Sequence, residues 1–137
     1  MPISYTHERY TPELLRNNSK SIFVFGDNLQ QVGHGGQAII RDEPNTLGIP
    51  TKVNPSNGQF DFFTDENFVR TGGKKCVDNA LYTMEEHLKN TVTVVIPYDF
   101  IGTGLAKLWE TSPFAFWYIN HRVNILMHQY GVSKNDD

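Results

Sequence analysis

Two short apolar runs, each leading into glycine, limit what this chain can become. Ser21-Ile-Phe-Val-Phe25 closes on Gly26-Asp27-Asn28, and Thr91-Val-Thr-Val-Val-Ile-Pro97 is followed by Ile101-Gly102-Thr103-Gly104-Leu105. The first run is apolar at almost every position, so it reads as a strand covered on both faces. Parallel or mixed sheets with helices above and below bury strands in that way. The second run is the best strand of the chain, rich in β-branched residues and ended by proline.

Helical signals fall between and after the strands. Thr11-Pro12 is a cap and first-turn pair for a short helix ending near Arg16. Ala38-Ile-Ile-Arg41 opens a helix from a glycine-rich loop. Beyond Thr71–Cys76, Val77, Ala80, Leu81, Met84 and Leu88 recur at helical spacing. Ser112-Pro113 starts a last helix reaching about Tyr130-Gly131, with Phe116, Ile119, Val123, Leu126 and Tyr130 on its buried face. Leu47–Lys52 reads as a strand with Pro50 near a sheet edge or strand end, and Gln59–Phe63 as an extended piece. This alternation predicts an α/β fold around a mixed, mostly parallel sheet. Ligands in such sheets sit beyond the carboxyl ends of the strands, so both glycine loops are expected there.

With 137 residues, 39% apolar and 20% charged, the chain suits one globular domain over 1–137, with 1–20 and 132–137 peripheral. Twelve Lys+Arg against fifteen Asp+Glu leave no basic surplus for neutralising phosphates along a nucleic acid, although a local basic patch stays open. No apolar run approaches the roughly 20 residues of a membrane-spanning helix, so no membrane partner is expected. The first residues lack a signal-peptide pattern, and Cys76 has no cysteine to pair with; a cytoplasmic setting is the expectation. Cys76 itself, near an apolar helix face, is expected to be buried and inert.

The candidate chemistry lies in the loops. Gly33-His34-Gly35-Gly36 lets the backbone approach a ligand closely and turn successive N–H groups toward anionic oxygens. Asn28 offers a donor and an acceptor, which suits a ribose diol; the alternative is a tight turn with capping Asp27 and Asn28. Neither a P-loop nor the Gly-x-Gly-x-x-Gly dinucleotide fingerprint is present. Ile101-Gly102-Thr103-Gly104-Leu105 suits a diphosphate cradle. Lys52 has three readings: attack on a sugar carbon, pairing with a phosphate, or plain solvation. His34 is an acid, a base, a stacking ring or a loop cap, and Asp99 a general base or a turn residue. His121 and His128 lack a third partner at metal-ligand spacing. Neither a metal nor a cofactor is expected.

Four segments in order carry a family resemblance: Phe23–Leu29, Gly33–Ala38, Ile49-Pro50-Thr51-Lys52 and Ile101–Ala106. Together they resemble a divergent phage and bacterial branch of the macrodomain superfamily, over roughly residues 21 to 126. The resemblance implies a three-layer α/β/α macro-like sandwich that binds ADP-ribose. It places the distal ribose against Asn28 and Gly33 to Gly36, and the diphosphate against Gly102 to Gly104. Similarity to terminal ADP-ribose protein glycohydrolases implies that Lys52 attacks the ribose. The Asp that completes their pair is Ala106 here, which leaves Asp99 and Asp27 as the carboxylates near by. The expected function is binding of ADP-ribose or a related nucleotide diphosphate-sugar, with removal of ADP-ribose from a protein or nucleic acid as its catalytic extension. The alternative is a non-enzymatic interaction domain, such as a phage inhibitor of a host factor.

Overall fold

The computed structural model describes residues 3–6, 8–97, 99–102 and 106–133. Its elements are β1 (Ile3–Tyr5), α1 (Pro12–Arg16), β2 (Ile22–Asn28), a 3₁₀ turn (Gly36–Ile40), β3 (Thr46–Lys52), a second 3₁₀ turn (Gln59–Asp61), α2 (Asn67–Arg70), α3 (Gly73–Lys89), β4 (Val94–Ile96), α4 (Leu108–Thr111), α5 (Pro113–Tyr130) and β5 (Val132–Ser133). The five strands form one sheet in the order β3-β2-β4-β1-β5. Every strand pair is parallel, which corrects the expectation of a mixed sheet.

Alternation along β2, β3 and β4 sorts side chains into two cores. Val24, Ile49, Val94 and Ile96 face the larger one, with Val77, Leu81 and Met84 of α3 and Ile119 and Val123 of α5. Phe23, Phe25 and Val95 face the smaller one, with Leu15 of α1 and Ala38 and Ile40 of the first 3₁₀ turn. Helical layers therefore cover both faces of an α/β sandwich. Burying each large side chain contributes about 1.5–3 kcal/mol before entropy is counted. The caps act as the sequence implies. Thr11 Oγ1 accepts from Leu14 N, Ser112 Oγ from Ala115 N, and Pro12 and Pro113 occupy first-turn positions.

Several local expectations change. The first residues are not peripheral: β1 lies between β4 and β5, and Tyr10 is buried in the smaller core. Val132–Ser133 likewise joins the sheet through β1. A three-residue strand carries too little pattern to announce itself. Of Gln59–Phe63, Gln59–Asp61 is a 3₁₀ turn while Phe62 is extended and bridges Lys52 in antiparallel fashion, and Ala38–Ile40 belongs to a 3₁₀ segment capped by Arg41 instead of an α-helix. Cys76 is exposed. It precedes the buried Val77, and one residue turns a helix by about 100°, enough to carry it off the apolar face.

Candidate functional site

The strand order creates a crevice. The connection after β2 runs to β3 on one side, whereas that after β4 leads to β5 on the other side. Where neighbouring parallel strands send their connections apart, a gap opens at their carboxyl ends, and ligands bind there in open α/β sheets. A cleft of about 780 Å³ occupies this place, a volume within the usual range for small-molecule sites. Asn28, Gly33 to Gly36, Lys52, Asp99 and Gly102 all line it, so the fold brings the two glycine segments to one cleft. Thr103, Gly104 and Leu105 lie outside the described residues. Ile101 turns into the larger core and is not among the lining residues.

Gln37 ties the two walls together. Its Oε1 accepts from Gly26 N at 2.8 Å, while its Nε2 donates to Asp99 Oδ1 at 2.9 Å and to Phe100 O at 2.8 Å. The far wall is held in unusual backbone: Phe100 and Lys107 have φ of 63° and 45°, and Gly102 has 88°. Left-handed conformations cost non-glycine residues on the order of 1 kcal/mol each and gather at functional loops.

Arg41 holds the other wall. Its guanidinium spans Asp27, with Nη2 at 2.6 Å from Oδ1 and Nη1 at 3.1 Å from Oδ2. The same group donates to Gly33 O at 2.8 Å and Val32 O at 3.1 Å. Asp27 Oδ1 also accepts from Asn28 N at 2.7 Å. Asp27 lines the cleft too, and both of its oxygens are engaged by Arg41 and Asn28 N, an arrangement that suits a structural anion better than a general base.

The glycine segment leaves donors open. Among the described residues, the main-chain N–H groups of Gly33, His34, Gly35, Gly36 and Gln37 meet no protein acceptor. Gly33 and Gly36 have φ of 93° and 57°, conformations that glycine adopts without penalty. Asn28 Nδ2 donates to Val32 O at 2.8 Å, and its buried Oδ1 has no partner among the described residues. An orphaned buried acceptor costs about 1–3 kcal/mol. His34 is exposed and pairs with exposed Asp42 at 2.9 Å, a contact of small energetic weight.

Lys52 ends β3 and is buried, not solvated. Its Nζ donates to Ser56 O at 2.7 Å, Asn57 Oδ1 at 3.2 Å and Pro55 O at 3.3 Å. It also lies 4.4 Å from the centroid of the Phe62 ring. Burial lowers its pKa, partly opposed by Asp61. Ala106, in the position where the glycohydrolase pattern has Asp, lines the cleft without a polar group. Asp99 also lines it. Near by, burial pushes the Tyr10 hydroxyl up, and Asp99 adds to the shift.

Asp61 braces the loop that Lys52 holds. It accepts from Asn54 Nδ2 at 2.9 Å, Ser56 Oγ at 2.8 Å and Gly58 N at 2.7 Å, and these bonds hold its pKa below the ordinary 3.8. A carboxylate with a lowered folded pKa adds stability above its unfolded value and loses it as pH falls through the folded one. The 53–61 loop is therefore expected to loosen below about pH 4. Hydrogen-exchange protection at pH 6 and pH 3 checks this. Asp61→Asn should show weaker protection at pH 6 and little further loss in acid. Equal acid sensitivity in both proteins would contradict the role given to Asp61.

Sequence reasoning did not single out Gln37 or Arg41. Their signal was their place, one inside and one just beyond the glycine-to-helix junction, four residues apart. Two polar side chains four apart on a short helical segment otherwise read as a solvated face. Outside the cleft, a groove of about 240 Å³ lies between α3 and α5. Its Asp78 and Arg122 pair with each other at 3.0 Å. No group of three or more His, Cys, Asp or Glu among the described residues could hold a metal ion. No helix among them is long and apolar enough to cross a membrane.

Residues 5–122 match the model of one family, described as a family of unknown function (DUF7831). No curated protein and no solved structure matches the chain.

Proposed function

The chain belongs to that family of unknown function, and from its cleft we propose that it binds ADP-ribose or a related nucleotide diphosphate-sugar. The observation that carries this reading is the run of five main-chain N–H groups, Gly33 to Gln37, on the wall of the cleft with no acceptor among the described residues. Such a run favours an anionic ligand: fixed dipoles already in place need little reorganisation when phosphate oxygens arrive. Asn28 supports the sugar half, because a ribose hydroxyl would supply the donor that its Oδ1 lacks. The ordered motifs that resemble macrodomains point to the same ligand class. An ADP-ribosylated protein or nucleic acid is the corresponding macromolecular target.

Binding is favoured over hydrolysis. Lys52 has all three of its donors engaged, and Ala106 offers no carboxylate to work beside it. Asp99 is the remaining candidate base at the cleft.

Isothermal titration with ADP-ribose tests the proposal. Saturable heat at one site is expected, with a thermal shift that grows with ligand; at 100 times Kd the ligand adds about 2.7 kcal/mol. No heat and no thermal shift at millimolar ligand would sink the nucleotide reading. A stoichiometric protein partner in a pull-down would then point to an interaction domain. Release of ADP-ribose from a modified protein, lost in Lys52→Ala, would extend binding to catalysis.

A further inference from the structure

We propose that Arg41 is a positioning residue that aims the anion-binding N–H groups of the glycine segment, an inference that rests on the binding role given to the cleft. Arg41 is not among the residues that line the cleft. It acts from behind the wall. Asp27 grips its guanidinium from one side, and the ring of Phe25 lies 5.5 Å from its central carbon. The remaining donors take the carbonyls of Val32 and Gly33.

That capture has a geometric consequence. The chain contains no cis peptide bonds among its described residues, and in a trans peptide unit the C=O and the following N–H point in opposite directions. Drawing Val32 O and Gly33 O toward Arg41 turns the N–H groups of Gly33 and His34 away from it. Those two residues border the cleft. A flexible glycine loop would otherwise sample many orientations of these dipoles, and ligand binding would have to order them.

A guanidinium suits this task better than an ammonium. It is planar, and its donors diverge in a fixed fork, so one group can grip a carboxylate and two carbonyls at once. Lysine would keep the charge opposite Asp27, but its three donors radiate from one nitrogen and cannot span the carboxylate and both carbonyls. Asn28 adds a second hold on Val32 O, at 2.8 Å from its Nδ2. The Gly33 peptide unit has no such backup among the described residues, so the His34 N–H depends most on Arg41.

The test is Arg41→Lys, read by ADP-ribose titration and by the amide resonances of Gly33 and His34 without ligand. Affinity is expected to fall about 10- to 100-fold, the scale of a misaligned hydrogen bond to a charged group. The two amide resonances should move toward random-coil positions, His34 more than Gly33, while those of α3 and α5 stay in place. Should Arg41→Lys fail to fold, the paired change Asp27→Asn with Arg41→Met removes both charges and is read in the same way. Affinity within twofold of the parent protein, or unmoved Gly33 and His34 resonances, would overturn the proposal. If the parent protein binds no ADP-ribose, the nucleotide reading fails, and the ligand-free resonances alone decide the role of Arg41.

Discussion

Arg41→Met is expected to lower the unfolding free energy by about 3–5 kcal/mol, which would rank it among the most damaging single changes in the chain. The cause is Asp27. Its side chain is only 7% exposed and that of Arg41 14%. Removing the guanidinium leaves a carboxylate with little access to water and no cation at hydrogen-bond distance. The carbonyl of Gly33 loses its donor as well, whereas Val32 O keeps Asn28 Nδ2. A partly open pair should fall toward the lower end of that range. Urea unfolding of the single variant, of Asp27→Asn and of the two combined forms a double-mutant cycle. The combined variant should recover most of the loss, because removing both charges leaves neither stranded. A single-variant loss below about 1 kcal/mol would mean that water reaches Asp27 and screens it.

Phe68→Ala is expected to cost about 3–5 kcal/mol by a different route. Phe68 is fully buried beneath α3 and α5. Its ring meets Phe63 edge-on at 5.1 Å, Phe114 at 6.1 Å and Tyr118 at 6.3 Å between centroids. Truncation opens a cavity whose walls cannot easily close. The backbone oxygen of Phe68 already lies within 2.9 Å of where a Cβ on Gly73 would stand, and the ring of Phe63 lies closer still. Phe68 does not line the cleft, so the variant should bind ADP-ribose with unchanged affinity while it stays folded. Thermal unfolding and titration together check this. A loss of affinity without a loss of stability would place the energetic coupling elsewhere.

The two changes also separate what the sequence discloses from what it hides. Long periodic segments were legible. The spacing of Val77, Ala80, Leu81, Met84 and Leu88 marks the buried face of α3, and Ser112-Pro113 marks the start of α5. Apolar run followed by glycine was enough to place β2 and the Gly33–Gly36 segment at the carboxyl edge of the sheet. Gly102 meets that segment across one cleft as expected. Strands of two or three residues were not legible, because β1 and β5 have no room for a period and are defined by pairing alone. Cys76 was misjudged by one helical step. Gln37 and Arg41 escaped notice for a different reason. Their partners, Asp99 and Asp27, lie far along the chain or on the neighbouring strand, and only the folded topology brings them into reach.

Pro50 carries a last consequence. β3 forms one rim of the sheet, and Phe23 N donates to Asn45 O across the inner side. Alternation along the strand then turns position 50 outward, where proline has no N–H to give. A second copy of the chain trying to zip onto this rim would find a gap in the middle of its template. The opposite rim, β5, is two residues long and gives still less purchase. Both borders of the sheet therefore discourage strand-by-strand polymerisation, and the molecule can keep an open sheet without seeding fibrils of itself.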